Sequence, residues 1–289
     1  MKQSLRASLK SEIPFFMVVP ALVWQVLFFY LPLFFVIYIS FTQQENNLFS
    51  AHTWENYATF FAWPFARVLL RSFSLAVGTS IICLFAGYPI AYYLARRAER
   101  WKNVLLFLLV LPFWTNMLVQ VYAWFALLER VGFVNRMLSY VGWISTPLTL
   151  LNNSFAIYVV MVYYYLPFMV IPIYAVLEKL QDEYLQASRD LGATPIQTFW
   201  RVTLPLSMSG ITTGFFLVFI PAFGEFVIPG FMGGHKYMYV GSLISYYYLV
   251  ARNESMGAAF TVVSGVLLLV GAYMLYRLFV HFTPAERAS

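Results

Sequence analysis

The chain has 289 residues, of which 61% are hydrophobic, 20% aromatic and only 10% charged. A soluble domain of this length has no core large enough to bury that much apolar surface, so an ordinary globular protein is excluded and a lipid bilayer is the natural solvent. The net charge of +6 comes without a basic patch interleaved with aromatics outside the membrane-flanking loops, which argues against nucleic-acid binding.

A transmembrane helix needs about 20 mainly apolar residues. Six such runs are read along the chain, at 14–41, 68–94, 104–128, 154–177, 208–230 and 257–280. The first exceeds the roughly 7 to 15 apolar residues of a signal peptide, and no small-residue cleavage site follows it, so it is expected to remain as a helix. The second carries Cys83, the single cysteine, which excludes an internal disulfide. Trp114, Tyr122 and Trp124 on the third run, and Tyr163, Tyr164 and Tyr165 on the fourth, offer aromatic faces to a cation; an interfacial aromatic belt explains them equally well. Prolines at 89, 112, 167, 172, 221 and 229 point either to kinked helices around a path or to irregular packing. Gly210 and Gly214 form a small-xxx-small pair suited to close helix approach.

Glu225 is the acidic residue placed inside a run. An ionised carboxylate costs about 2.5 to 3.5 kcal/mol near the centre of a membrane helix, so it is expected to face protein or water. Two readings stand: a carboxylate beside a translocation path, or one hydrogen-bonded to a neighbouring helix or to broken backbone around Gly224 and Pro229.

Orientation follows from Lys and Arg. Lys2, Arg6, Lys10, Arg96, Arg97, Arg100, Lys102, Lys179, Arg189, Arg201, Arg277 and Arg287 fall on the side of the two termini; Arg67, Arg71, Arg130, Arg136, Lys236 and Arg252 fall on the other. The positive-inside rule then places both termini, and the loops near 95–103 and 178–207, in the cytoplasm.

The longest polar excursion, EYLQASRDLGATPIQTFWRVTLPLS at 183–207, has the signals of two short helices joined by a tight bend. Asp182 is the expected N-cap, and Tyr184, Ala187, Ser188 and Leu191 recur on one narrow face. Gly192 is the expected left-handed stop. Thr194, Pro195 and Gln197 give a second start: a cap, a proline at the first helical position and a glutamine that reaches back. Ile196, Phe199, Trp200 and Thr203 are expected to share the next face, with Pro205 opening the fifth run. A protruding helix of this kind either lies on the membrane surface or docks into a groove of a partner.

The stretch resembles the EAA motif of ABC importer permeases, through Gln186, Ala187, Ser188, Asp190, Gly192, Ala193, Phe199, Val202, Leu204 and Pro205. It departs from that pattern at Gln186, where the motif has Glu, and at Ser188, where it has Ala. Within the same family, LPFWTNMLVQVYAW at 111–124, YYYLPFMVIPIYAVLEKL at 163–180 and FIPAFGEFVIPGFMGG at 219–234 are most similar to the spermidine/putrescine permeases, especially the first of the two paired subunits. The resemblance implies an all-α integral membrane protein with six transmembrane helices and the MetI-like type I importer permease fold. It implies a single transmembrane domain over 1–289, with core permease helices at 68–280 and a coupling loop at 178–207. The coupling residues would be Gln186, Ala187, Ser188, Asp190, Gly192, Ala193, Leu204 and Pro205, and the substrate-path residues Glu225, Trp114, Tyr122, Trp124 and Tyr163. It further implies a bacterial inner-membrane location, two ATP-hydrolysing subunits that bind ATP-Mg, a second related permease subunit and an extracytoplasmic substrate-binding protein, with no cofactor in this chain.

An ion-coupled secondary transporter is the alternative from the residues alone. It calls for internal repeats and midplane ionisable groups; no convincing repeat is found, and Glu225 is the sole candidate. His52, His235 and His281 lack metal-ligand spacing to one another or to Cys83. GFMGGHK at 230–236 is not a Walker A sequence, so the chain is not expected to hydrolyse ATP. Asn152 and Asn253 begin N-x-S triplets on the expected outer side.

Overall fold

The computed structural model describes residues 18–43, 53–61, 63–98, 100–234 and 237–282. The expected contributions of residues 14–17, Lys2, Arg6, Lys10, His52, His235, Lys236 and Arg287 lie outside them. The described secondary structure is essentially all helical. Two compact units are formed, Met1–Ala62 with Tyr246–Ser264, and Trp63–Ser245 with Gly265–Ser289.

In the first unit, helix α1 (Val18–Ser40) is apolar on every side, and Trp24, Phe28 and Phe34 are all exposed. A helix that is hydrophobic all round is at home in lipid or against another membrane helix. Its end is fixed by polar contacts: Asn56 donates to the carbonyls of Ser40 and Thr42 at 3.1 and 2.9 Å. The Ser40 and Tyr57 hydroxyls meet at 2.5 Å, and those of Thr42 and Ser255 at 3.1 Å.

The second unit is built on three long helices, α2 (Trp63–Arg96), α6 (Ser154–Lys179) and α9 (Met208–Gly224). Ile157, Met161, Tyr165, Met169, Ile173 and Leu177 form a buried ridge along α6 at four-residue spacing, the row that packs into the grooves of neighbouring helices. Glycines let the neighbours come close. A Cβ on Gly210 would lie 2.8 Å from the Pro172 carbonyl oxygen, and one on Gly214 would lie 3.0 Å from that of Met169. Gly87 of α2 approaches Met169 in the same way, with 3.2 Å to its Cγ. The expected small-xxx-small pair is thus a true helix crossing.

The remaining elements of this unit are α3 (Lys102–Val110), α4 (Met117–Leu128), α5 (Phe133–Tyr140), α7 (Asp182–Asp190), α8 (Pro195–Leu206), α10 (Val227–Met232) and α11 (Val240–Ser245). Helix α12 (Glu254–Phe282) starts within the segment assigned to the first unit and ends in that assigned to the second. Among the described residues, five helices are able to cross a membrane by length and composition, and six when α8 and α9, bent by 63° at Ser207, count as one span.

Two expected runs are interrupted. The run at 104–128 is split: α3 passes into a 3-10 turn at Leu111–Trp114, Thr115 is extended, and α4 begins afresh behind Asn116, whose side chain accepts from the Leu118 N–H at 2.8 Å. Pro112 has no N–H to continue the ladder and Asn116 supplies a competing start. The run at 208–230 breaks at Glu225, which is extended with ψ 131°. Prolines 89, 167, 172 and 221 remain inside continuous helices.

Widened π-turns sit at Val26–Tyr30 and Phe199–Thr203, each two residues ahead of a proline, Pro32 and Pro205. A proline ring collides with the carbonyl four residues back in an α-helix, and a locally wider turn relieves that clash.

Candidate functional site

Between α6 and α9 the chain leaves the bundle as an elbow, α7 followed by α8. Gln181, and not Asp182, is the N-cap of α7. The Asp182 carboxylate is engaged elsewhere: Arg96, at the end of α2, donates to Asp182 Oδ1 at 2.6 Å and to the Leu180 carbonyl at 2.7 Å. That side chain is only 13% exposed, so it clamps the root of the elbow to α2. Nearby, Lys102 pairs with Glu178, and this carboxylate holds the Lys102 ammonium above the usual lysine range.

Helix α7 ends at Gly192, whose φ of +79° is the left-handed stop expected from sequence. A Cβ there would meet nothing within 4 Å, so the requirement is one of backbone conformation and not of space. The turn is closed by the Gly192 N–H to Arg189 at 2.8 Å and the Ala193 N–H to Ser188 at 3.1 Å. Both halves of the capping box are present, the Gln197 N–H donating to Thr194 Oγ1 at 3.3 Å and the Thr194 N–H donating to Gln197 Oε1 at 2.9 Å. Ser188 and Thr198 hydroxyls bond at 2.9 Å and fasten α7 to α8. Further on, Tyr88 of α2 packs edge-on against Phe199, with centroids 5.6 Å apart, and its hydroxyl meets Ser207 at 3.0 Å.

Ser188, Thr194, Gln197 and Thr198 are bonded within the elbow, while several of its apolar side chains face out. Leu191 is 89% exposed, Ile196 72% and Trp200 62%; Tyr184, Gln186, Ala187 and Asp190 are exposed too. The face expected to unite Ile196, Phe199, Trp200 and Thr203 is divided, because the π-turn shifts the helical phase: Thr203 is buried, Phe199 half-buried and the other two exposed.

The second site is the pair of interruptions in the apolar runs. At the first, Gln120 of α4 reaches back, its side-chain amide donating to the Pro112 carbonyl and to Thr115 Oγ1. At the second, Glu225 is half-buried. Its Oε2 accepts from the Tyr165 hydroxyl at 2.9 Å, and its Oε1 from the N–H groups of Phe226 and Val227 at 3.0 and 2.9 Å. Glu225 thus bonds both to a neighbouring helix and to the broken backbone. The backbone closes in from the other side as well, since a Cβ on Gly241 of α11 would overlap the Gly224 carbonyl oxygen at 2.2 Å.

The remaining aromatic candidates are spread out. Trp124 and Tyr163 pack edge-on at 5.2 Å, Tyr122 packs against Phe231 of α10 at 5.0 Å, and Trp114 turns back to Phe107 of α3 at 5.4 Å. Sequence reasoning did not single out Arg96 as the clamp, nor Tyr165 as the partner of Glu225. The regular spacing of the α6 ridge marks Tyr165 as the inward member of the Tyr163–Tyr165 trio.

A membrane bundle with a projecting elbow and two interrupted helices has the form of a transporter's membrane subunit. Residues 87–286 match the family described as binding-protein-dependent transport system inner membrane component, and the chain belongs to that family. It is 39% identical over 256 residues to the spermidine/putrescine transport system permease protein PotB of Haemophilus influenzae, covering 88% of this chain and 90% of that one. The PotB protein of Escherichia coli K12 is 39% identical over 260 residues, with 88% and 94% covered. The inner membrane ABC transporter permease protein YdcU of the same organism is 33% identical over 221 residues, with 72% and 70% covered. Among solved structures, a bacterial ABC transporter that imports alginate superposes with a TM-score of 0.75 at 16% identity, covering 96% of this chain and 98% of that one. The alginate transporter in complex with a pentasaccharide-bound periplasmic protein gives 0.77 at 16% identity, with the same shares covered. The all-α importer-permease fold implied by the EAA resemblance is therefore the fold of this chain, and the ion-coupled alternative is set aside.

Proposed function

We propose that this chain is the permease subunit of an ATP-driven importer of polyamines, putrescine and spermidine among them. The observation that carries the substrate class is identity of 39% with permeases named for spermidine and putrescine, spread over 88% of the chain. The chain supplies half of the translocation path beside a second, related permease. Two ATP-hydrolysing subunits bind ATP-Mg on the cytoplasmic side, and a substrate-binding protein delivers the polyamine from outside. This chain holds no cofactor and hydrolyses no ATP. Both termini and the elbow face the cytoplasm, in keeping with the excess of Lys and Arg there.

The elbow is the coupling element. Gln186, Ala187, Ser188, Asp190, Gly192 and Ala193 form its tip and corner, and Leu204 and Pro205 its return to the bundle. Support comes from its construction: a corner fixed by Gly192 and the Thr194 capping box, a root clamped by Arg96, and an exposed apolar tip with no covering among the described residues. Directional transport requires that ATP and the loaded binding protein favour different conformations, and a stiff lever transmits that preference.

Uptake of labelled putrescine and spermidine, in cells lacking other polyamine systems, tests the proposal. Deletion of this chain is expected to abolish uptake of at least one of them, and Gly192→Asp to reduce it at least as severely as it weakens co-purification of the ATPase. Unchanged uptake after deletion would overturn the substrate assignment; full uptake by Gly192→Asp would overturn the role of the elbow.

A further inference from the structure

The two interruptions of the apolar runs converge on one pair of side chains. Phe113, in the first, packs against the ring of Tyr164 at 5.8 Å. Glu225, in the second, accepts from Tyr165 at 2.9 Å. Tyr164 and Tyr165 are themselves edge to face at 5.2 Å. Non-helical backbone at membrane depth is tolerated only where it is buried in protein or lines a polar cavity, and two such places meeting on adjacent tyrosines of α6 define a locus, not two accidents.

The carboxylate at this locus has no cationic partner among the described residues. A carboxylate has about four acceptor positions, and those of Glu225 filled here are taken by Tyr165, Phe226 and Val227. All of these donors are neutral. The ion pairs among the described residues are Arg96–Asp182 and Lys102–Glu178, and none includes Glu225. A half-buried carboxylate held in place by three neutral donors has room for another N–H, and an ammonium fills that place with a stronger, charge-assisted hydrogen bond than a neutral donor does.

We propose that Glu225 is the cation-binding carboxylate of this subunit, taking one ammonium group of the substrate, with the Tyr164 ring and Phe113 lining the adjoining aromatic wall. The inference rests on the polyamine reading above and assigns that substrate a contact. The aromatic ring face adds attraction for the ammonium, and its hydrocarbon edge suits the methylene chain between amines.

The test uses the whole transporter in proteoliposomes with its binding protein, and two probes: labelled spermidine and mono-N-acetylspermidine, which carries one charge less. Glu225→Gln keeps an oxygen for the Phe226 and Val227 N–H groups, lets its amide donate to the Tyr165 hydroxyl, and removes the charge. It is expected to lower spermidine uptake by roughly 10- to 100-fold, the worth of one charged hydrogen bond, while the complex still co-purifies. The preference for spermidine over its acetylated form should shrink by a similar factor, because the same binding protein serves both transporters. An equal loss for both probes would assign Glu225 a structural role and overturn the inference. Wild-type uptake by the variant would overturn it too, leaving the polyamine reading intact. Failure of the wild-type transporter to carry either probe would overturn this inference, and failure to carry putrescine as well would bring down the polyamine reading with it. Tyr164→Leu, which leaves every donor to Glu225 in place, guards against misassembly of Glu225→Gln: a several-fold loss of spermidine uptake supports the site, and no loss overturns it.

Discussion

Glycine does opposite work in the α2–α6–α9 core and in the α7–α8 elbow. Gly210 and Gly214 leave no room for a side chain, with α6 backbone at 2.8 and 3.0 Å from where a Cβ would stand, whereas Gly192 has nothing within 4 Å and is required by its φ of +79°. The apolar side chains differ as sharply: those of the core are enclosed, those of the elbow tip face outward. The core is held by close packing of complementary surfaces. The elbow is held by hydrogen bonds among Ser188, Thr194, Gln197 and Thr198, which leaves its apolar side chains facing outward.

The contrast breaks if a core glycine tolerates bulk. Gly214→Leu is expected to destabilise the subunit by about 3 kcal/mol or more, the upper part of the range for overpacking, seen as a large fall in the thermal unfolding midpoint of the purified complex. An unchanged midpoint would mean that α9 can move off α6 freely, contrary to the crossing described here. Thr194→Ala is expected to cost about 1 kcal/mol, the worth of a helix N-cap, and to do so locally. Hydrogen exchange should quicken in α8 with the core protected; faster exchange along α6 would show that elbow and core unfold together. The smallest effect on stability is expected for Leu191→Ser, within about 0.5 kcal/mol because the side chain touches little, yet this variant should recover visibly less ATPase on co-purification. Normal recovery would move the docking surface away from the corner.

How far the sequence reveals these features depends on how local their causes are. The Gly192 stop and the Thr194–Gln197 box were legible because each is decided within a few residues. The N-cap of α7 was misplaced by one position, since Asp182 has the chemistry of a cap and only the distant Arg96 explains why it serves elsewhere. The interruption at Thr115 was hidden for a related reason, while the one at Glu225 entered only as one of two readings, broken backbone around Gly224 and Pro229. Prolines 89, 167, 172 and 221 stay within helices that neighbours support, so proline alone does not mark a break; Gln120 and Tyr165 stabilise the exposed ends only after folding brings them there. Six apolar runs were readable from composition, but not that the third is discontinuous.

The π-turn at Phe199–Thr203 has a further consequence for how this chain tolerates changes in length. A π-turn accommodates one residue more than an α-turn, and each residue of an α-helix advances the rotation by about 100°. The turn therefore takes up one residue locally: losing a residue from it would tighten it to an ordinary α-turn and leave Ile196 facing as it does, whereas the same loss from the α-turn before it would swing the tip by about 100°. The place of such a loss, rather than the loss of length itself, decides which way the tip faces.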